Sequence, residues 1–295
     1  MVSLPQQFVS SESFRHSFDR RPFLFQHALA QHDLFTFPAL HRLARLAADL
    51  QGKPARKGLL QQPMTPGFLV VKDRGSLRWG SPEFYQTLDD TFEHFEQSNV
   101  RLKLTAIHRY EGYREVLEEC TRSLSEVTGV DFARRYDPGI ATLFIASPNE
   151  TTPYHIDQEV NFLVQIHGRK QVCIFDGDDR EIVSQKNLEE FWSGKIFIDQ
   201  VAGSSPEIFE IEPGNGVFNP PFFPHLVTTG PQPCVSLSLG YARRCFPEAE
   251  LHRMNAYMRK LGWTPQSPGK RPRVDQLKSM TVRHATALKR SVMGI

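Results

Sequence analysis

Hydrophobic and polar positions change period along this chain, and the change divides it. From Gly139 to Tyr241, short runs alternate apolar and polar residues between Gly and Pro turns. That two-residue period predicts the strands of an antiparallel barrel or sandwich. One run puts Val160, Phe162, Val164 and Ile166 on one face and Glu159, Asn161, Leu163 and Gln165 on the other. After a turn at Gly168, KQVCIF reads as the next strand, with Lys170, Val172 and Ile174 sharing a face.

Upstream the period is mixed. Leu40, Leu43, Ala44, Ala47 and Leu50 recur at helical spacing, predicting a packing helix over residues 38–50. The loop-like GKPARKGLLQQPMTPG leads into a short strand from Gly67. Ser81 followed by Pro82 has the residues of an N-cap and a first helical position, opening a helix that runs to about Ser98. VRLKLTAIHRY alternates as a strand, and a helix covers about Tyr113 to Val127. Beyond the β region two helices are expected, one through Leu251, Met254, Met258 and Leu261, another through Leu277, Met280, His284 and Leu288. The chain therefore divides into helices and strands that pack on the barrel (1–138), a β core (139–246) and a basic helical region (247–295).

Within the β core, TTPYHIDQEVNFLVQIHGRK places His155 and Asp157 two residues apart. On one continuous strand, residues at that spacing point to the same face and can reach one ion. A third ligand is offered by His225 in EPGNGVFNPPFFPHLVTTG. Two histidines and a carboxylate on one side of a metal form the facial triad of non-haem Fe(II) oxygenases, although a zinc site has the same donors. His155 and Asp157 share the polar odd face, which predicts a barrel with a polar pocket inside and an apolar outer face covered by other elements. Lys170 must then escape to a strand end or meet an anion, because an unpaired buried ammonium is costly.

Composition narrows the alternatives. The chain has 295 residues, 40% hydrophobic and 23% charged, with a net charge of +2, as in an ordinary globular protein. No apolar run suits a membrane span and the first residues lack the apolar core of a signal peptide. Four widely spaced cysteines without a C-x-x-C pair fit a reduced, cytoplasmic setting; Cys173 and Cys234 read as small packing residues. No Gly-rich nucleotide loop and no serine-hydrolase elbow occurs. From Leu251 to Ile295 there are ten Lys or Arg against one Asp, an asymmetry that points weakly to an anionic partner such as RNA.

These residues together resemble the JmjC or cupin-like Fe(II)/2-oxoglutarate-dependent dioxygenases, and in the barrel segment the asparaginyl hydroxylases among them. The pattern comprises Thr152, Pro153, His155, Asp157, Asn161, Phe162, Gln165, Gly168 and Lys170, then Gly214 and the Pro221, Phe222, Phe223, Pro224, His225 stretch. The resemblance implies a mostly β core with flanking helices, a double-stranded β-helix of jelly-roll, cupin/JmjC-like form. It implies Fe(II) held by His155, Asp157 and His225, and 2-oxoglutarate held by Thr152 and Lys170 with Asn161 nearby. O2 would be consumed, succinate and CO2 released, and a C–H bond of a protein, peptide or RNA hydroxylated. It also implies pairing of two copies through C-terminal helices. Two positions depart from the pattern: Asn215 follows Gly214 where an aspartate is usual, and Gly240 replaces an asparagine near the cosubstrate, with Ser236 or Ser238 as substitutes. The competing readings are a non-catalytic cupin-like metal-binding or regulatory protein, which keeps the barrel without turnover, and a zinc hydrolase.

Overall fold

The computed structural model describes residues 7–50, 67–72, 74–244, 246 and 248–293, with side chains to residue 282. The loop expected over residues 52–67 thus falls almost wholly outside the described residues, as do Cys245 and the side chains of His284 and Leu288. Twelve strands are described: β1 (Phe23–Gln26), β2 (Gly67–Val71), β3 (Gly75–Leu77), β4 (Val100–Leu104), β5 (Ile140–Ala146), β6 (Thr151–His155), β7 (Val160–His167), β8 (Lys170–Ile174), β9 (Glu207–Ile211), β10 (Asn215–Asn219), β11 (His225–Thr229) and β12 (Cys234–Tyr241). One sheet runs β1-β10-β7-β12-β5-β4-β2-β3 and a second runs β6-β11-β8-β9. Every pairing is antiparallel. Because β5 to β12 pass repeatedly between the two sheets, the fold is a double-stranded β-helix of jelly-roll type, as expected from the sequence.

The period-two pattern decides which face is which. Val160, Phe162 and Val164 are fully buried on the outer face of β7. Phe162 lies between 5.0 and 6.4 Å, ring to ring, from Phe8, Phe14, Phe18, Phe25, Phe132, Phe218 and Tyr241. Four of those seven rings come from the N-terminal segment, so residues 8–25 are part of the core that covers the barrel. The inner face of β7 carries Asn161 and Leu163 into a cavity.

Among the described residues, eight α-helices surround the sheets: α1 (Glu12–His16), α2 (Phe37–Leu50), α3 (Pro82–Glu93), α4 (Tyr113–Thr128), α5 (Phe132–Arg135), α6 (Gln185–Phe191), α7 (Ala249–Lys260) and α8 (Pro272–Met293). α2 buries Leu40, Leu43, Ala44 and Ala47, while Leu50 at its end is 45% exposed. α3 starts where the sequence predicts, with the Ser81 hydroxyl accepting from the Phe84 N–H, but ends at Glu93 and continues only as a 3-10 turn over Phe95–Gln97. VRLKLTAIHRY is strand only to Leu104; Ala106 adopts a left-handed backbone (φ 58°) that ends the ladder and starts a 3-10 turn over Ile107–Arg109. α6 is not among the helices expected from the hydrophobic period; its signal is a capping box between Ser184 and Asn187.

Candidate metal centre

The single strand expected to carry both His155 and Asp157 does not exist. β6 ends at His155, and β7 begins at Val160 in the other sheet. Asp157 sits in the crossover between them, so same-face strand geometry is not what brings the two together. The crossover is pinned by backbone bonds instead: the Ile156 N–H donates to the Ile196 carbonyl, and the Phe222 N–H donates to the Asp157 carbonyl at 2.7 Å. Phe222 itself holds a left-handed backbone (φ 63°), and a Cβ on Gly177 would stand 2.5 Å from its carbonyl oxygen. The segment leading to His225 is therefore held tightly against the segment that carries Asp157.

His225 begins β11 and faces His155 across the β6–β11 pair. Their ring centroids are 4.2 Å apart. His155 Nε2 lies 3.8 Å, and His225 Nε2 3.7 Å, from the same Asp157 oxygen. All three donor atoms fall within 4.8 Å of one another. Donors bound at about 2.0–2.2 Å and at right angles stand about 3 Å apart, a little closer than each histidine nitrogen stands to the Asp157 oxygen here.

The surroundings fit metal ligation. His155 Nδ1 is 2.7 Å from the Pro153 carbonyl and His225 Nδ1 is 3.1 Å from the Phe223 carbonyl, so each ring donates from Nδ1 and leaves the Nε2 lone pair facing Asp157. Burial, reinforced by His155 and opposed by Asp157, pushes His225 down to about 4. Its imidazole is neutral at pH 7 and ready to coordinate. Buried Asn219 lies 3.0 Å from His225 Nδ1 through its amide nitrogen, while its Oδ1 has no partner.

The triad opens into a cavity of about 470 Å3 between the sheets. Thr152, His155, Asp157, Asn161, Lys170 and His225 all line it. Asn161 Oδ1 accepts from the Ser238 hydroxyl at 2.9 Å, and Ser238 also lines the cavity. Ser236 does not; it is fully buried and donates to Gln165 Oε1 at 2.7 Å, so of the two serines only Ser238 reaches the space beside Gly240. Glu159 lines the wall next to Gly240, its acidity weakened by burial and by Asp157.

Lys170 is the least exposed of the expected site residues. It opens β8, is 6% exposed and does not escape to solvent. Burial makes its ammonium easier to deprotonate, with only the Cys234 thiol beside it to oppose that. Among the described residues no carboxylate pairs with it; Nζ instead lies 6.0 Å from the centroid of the Phe144 ring. Sequence reasoning missed Asn219, Thr229, Phe144, Arg101 and Lys103 as cavity residues. Arg101 and Lys103 alternate with Leu102 and Leu104 on β4, a pattern that by itself reads as an ordinary solvent face.

No family model matches the chain, and no curated protein matches it. Similar solved structures include the ribosomal oxygenase YcfD of Escherichia coli, at 16% identity and a TM-score of 0.49, covering 95% of this chain and 68% of that one. YcfD in complex with cobalt and 2-oxoglutarate is similar at 18% identity and a TM-score of 0.48, covering 94% of this chain and 68% of that one. YcfD with cobalt and succinic acid is similar at 17% and 0.47, covering 95% and 68%.

Proposed function

We propose that this chain is an Fe(II)- and 2-oxoglutarate-dependent oxygenase that hydroxylates a C–H bond. One observation supports this above others: a His-Asp-His triad and a buried ammonium with no carboxylate beside it, among the described residues, line the same cavity. The triad matches the donor set of a facial iron site, and Lys170 supplies the countercharge a dicarboxylate needs at its far end. His155, Asp157 and His225 would hold the ion. Lys170 would pair with the distal carboxylate, Thr152 would donate its hydroxyl to the same group, and Asn161 would line the space between. Val172, Val227 and Leu163 form the apolar wall that keeps water from the cosubstrate. When bound there, Fe(II) supplies the redox chemistry that couples conversion of 2-oxoglutarate and O2 to succinate and CO2 with oxygen insertion into substrate.

Anaerobic addition of 2-oxoglutarate to the Fe(II)-loaded chain should produce a weak visible charge-transfer band, absent in His155→Ala. Under air, succinate should form with iron and not with zinc. A full complement of iron with neither band nor succinate leaves a metal-binding barrel without turnover; hydrolysis with zinc and no oxygen requirement indicates the hydrolase reading.

We further propose that two copies pair through α7 and α8. Tyr257, Leu261, Trp263, Leu277 and Met280 are each at least 50% exposed on or beside these helices. Exposed apolar side chains so concentrated mark an interaction surface more often than a solvated one.

A further inference from the structure

Most arginines of this chain that lie near acids are paired with them: Arg21 with Asp176, Arg45 with Asp89, Arg135 and Arg243 with Asp19, and Arg259 with Glu189. The cavity behaves differently. Arg101 and Lys103 stand two residues apart on β4 and both line it, together with Lys170. Among the described residues, none of the three has a carboxylate in ion-pair range. Lys103 Nζ is 5.5 Å and Lys170 Nζ 6.0 Å from the centroid of Phe144, and Arg101 lies 5.9 Å over Phe68. Arg101 is also close enough to Lys170 to weaken its hold on a proton. The acid at this end of the cavity, Glu150, stands 3.9 Å from Lys72.

The topology explains how the cations come to share one space. The larger sheet extends past the barrel through β4 and β2, opposite a second sheet of only four strands. Arg101 opposes Ala146, and Lys103 opposes Phe144, in the β4–β5 register. The four-stranded sheet thus brings His155, His225 and Lys170 to the cavity, and Arg101 and Lys103 form a cationic shelf on the sheet that faces it. Three like charges around one cavity repel one another, and an arrangement of that kind is relieved by bound anions. One distal carboxylate of a cosubstrate offsets Lys170 alone. A cavity of about 470 Å3 lies within the range of about 300–1,000 Å3 typical of small-molecule sites, leaving space for a second group.

We propose that Arg101 and Lys103 form a second anion subsite, which takes a carboxylate or phosphate group of the primary substrate. The identification with substrate rests on the oxygenase reading; the existence of the subsite does not. The test uses the full chain stripped of metal, at constant ionic strength, titrated calorimetrically with methylphosphonate and separately with acetate. The Arg101→Gln/Lys103→Gln double variant should weaken binding of the preferred probe by roughly tenfold or more, while Lys170→Met leaves it nearly unchanged. Lys103→Arg, which keeps the charge, should retain binding and exclude a folding defect. Whichever probe binds tighter assigns the group as phosphate or carboxylate. Equal binding by wild type and the double variant, or loss in Lys170→Met alone, overturns the subsite. A parallel titration of 2-oxoglutarate into the Mn(II)-loaded chain separates the two proposals. If the double variant loses 2-oxoglutarate affinity by a similar factor, the shelf serves the cosubstrate and the subsite fails while the oxygenase reading stands. Should the wild type bind no 2-oxoglutarate, the oxygenase reading fails and the metal-free result still decides the subsite.

Discussion

Lys170 combines a cost to the fold with the anchoring role proposed for it in the cavity. An ammonium buried without a counter-ion destabilises the protein, so Lys170→Met should leave the metal-free chain as stable as wild type or more so. The same substitution should weaken 2-oxoglutarate binding by roughly 10- to 150-fold, the equivalent of losing a charge-assisted bond of about 1.5–3 kcal/mol. Thermal melts and calorimetry on one pair of proteins check both, and a large loss of stability would show the lysine to be structural. His27 is a second buried group with a measurable consequence. Its Nδ1 accepts from the Leu29 N–H while Nε2 donates to the Asn215 carbonyl, so the ring is held neutral, and burial pushes it down to about 4. Between that value and the ordinary 6.5 the unfolded chain binds the extra proton and the folded one does not. Stability contributed by neutral His27 is therefore complete above about pH 6.5, falls as pH drops toward 4, and levels off below it. The loss is on the order of 3 kcal/mol. Denaturant midpoints across that range should flatten in His27→Gln.

At the scale of elements, the barrel wall and the N-terminal segment are one packing unit. Phe162 on β7 meets Phe8, Phe14, Phe18 and Phe25, so the outer face of the strand that follows the Asp157 crossover is closed by residues more than a hundred positions away in sequence. Phe162→Ala should cost about 3–5 kcal/mol, with a matching drop in the urea midpoint. A cost below about 1 kcal/mol would mean that the aromatic cluster is loosely packed. The crossover after β6 belongs to this scale as well. The i, i+2 rule places His155 and Asp157 side by side, and they do lie together, but not through strand geometry, because the strand stops between them. Two backbone hydrogen bonds and the left-handed Phe222 perform the alignment that the rule ascribed to pleating.

For the molecule as a whole, the exposed apolar residues of α7 and α8 predict a concentration-dependent dimer. Light scattering after gel filtration should give twice the 33.8 kDa chain mass, reverting to one chain in Leu277→Glu. A monomer at all concentrations would remove the pairing. The sequence alone predicted the strands of an antiparallel barrel or sandwich and put forward His155, Asp157 and His225 as candidate donors, because strand period and ligand chemistry are local properties of side-chain order. It also singled out Lys170, since an ammonium between β-branched neighbours has few stable settings. Only the tertiary structure decided that Asp157 lies in a crossover, that Asn219 stands behind His225, and that Arg101 and Lys103 turn toward the cavity. Those facts depend on which strands become neighbours and where a ladder breaks, and pairing between distant segments is set by the packing of the whole chain.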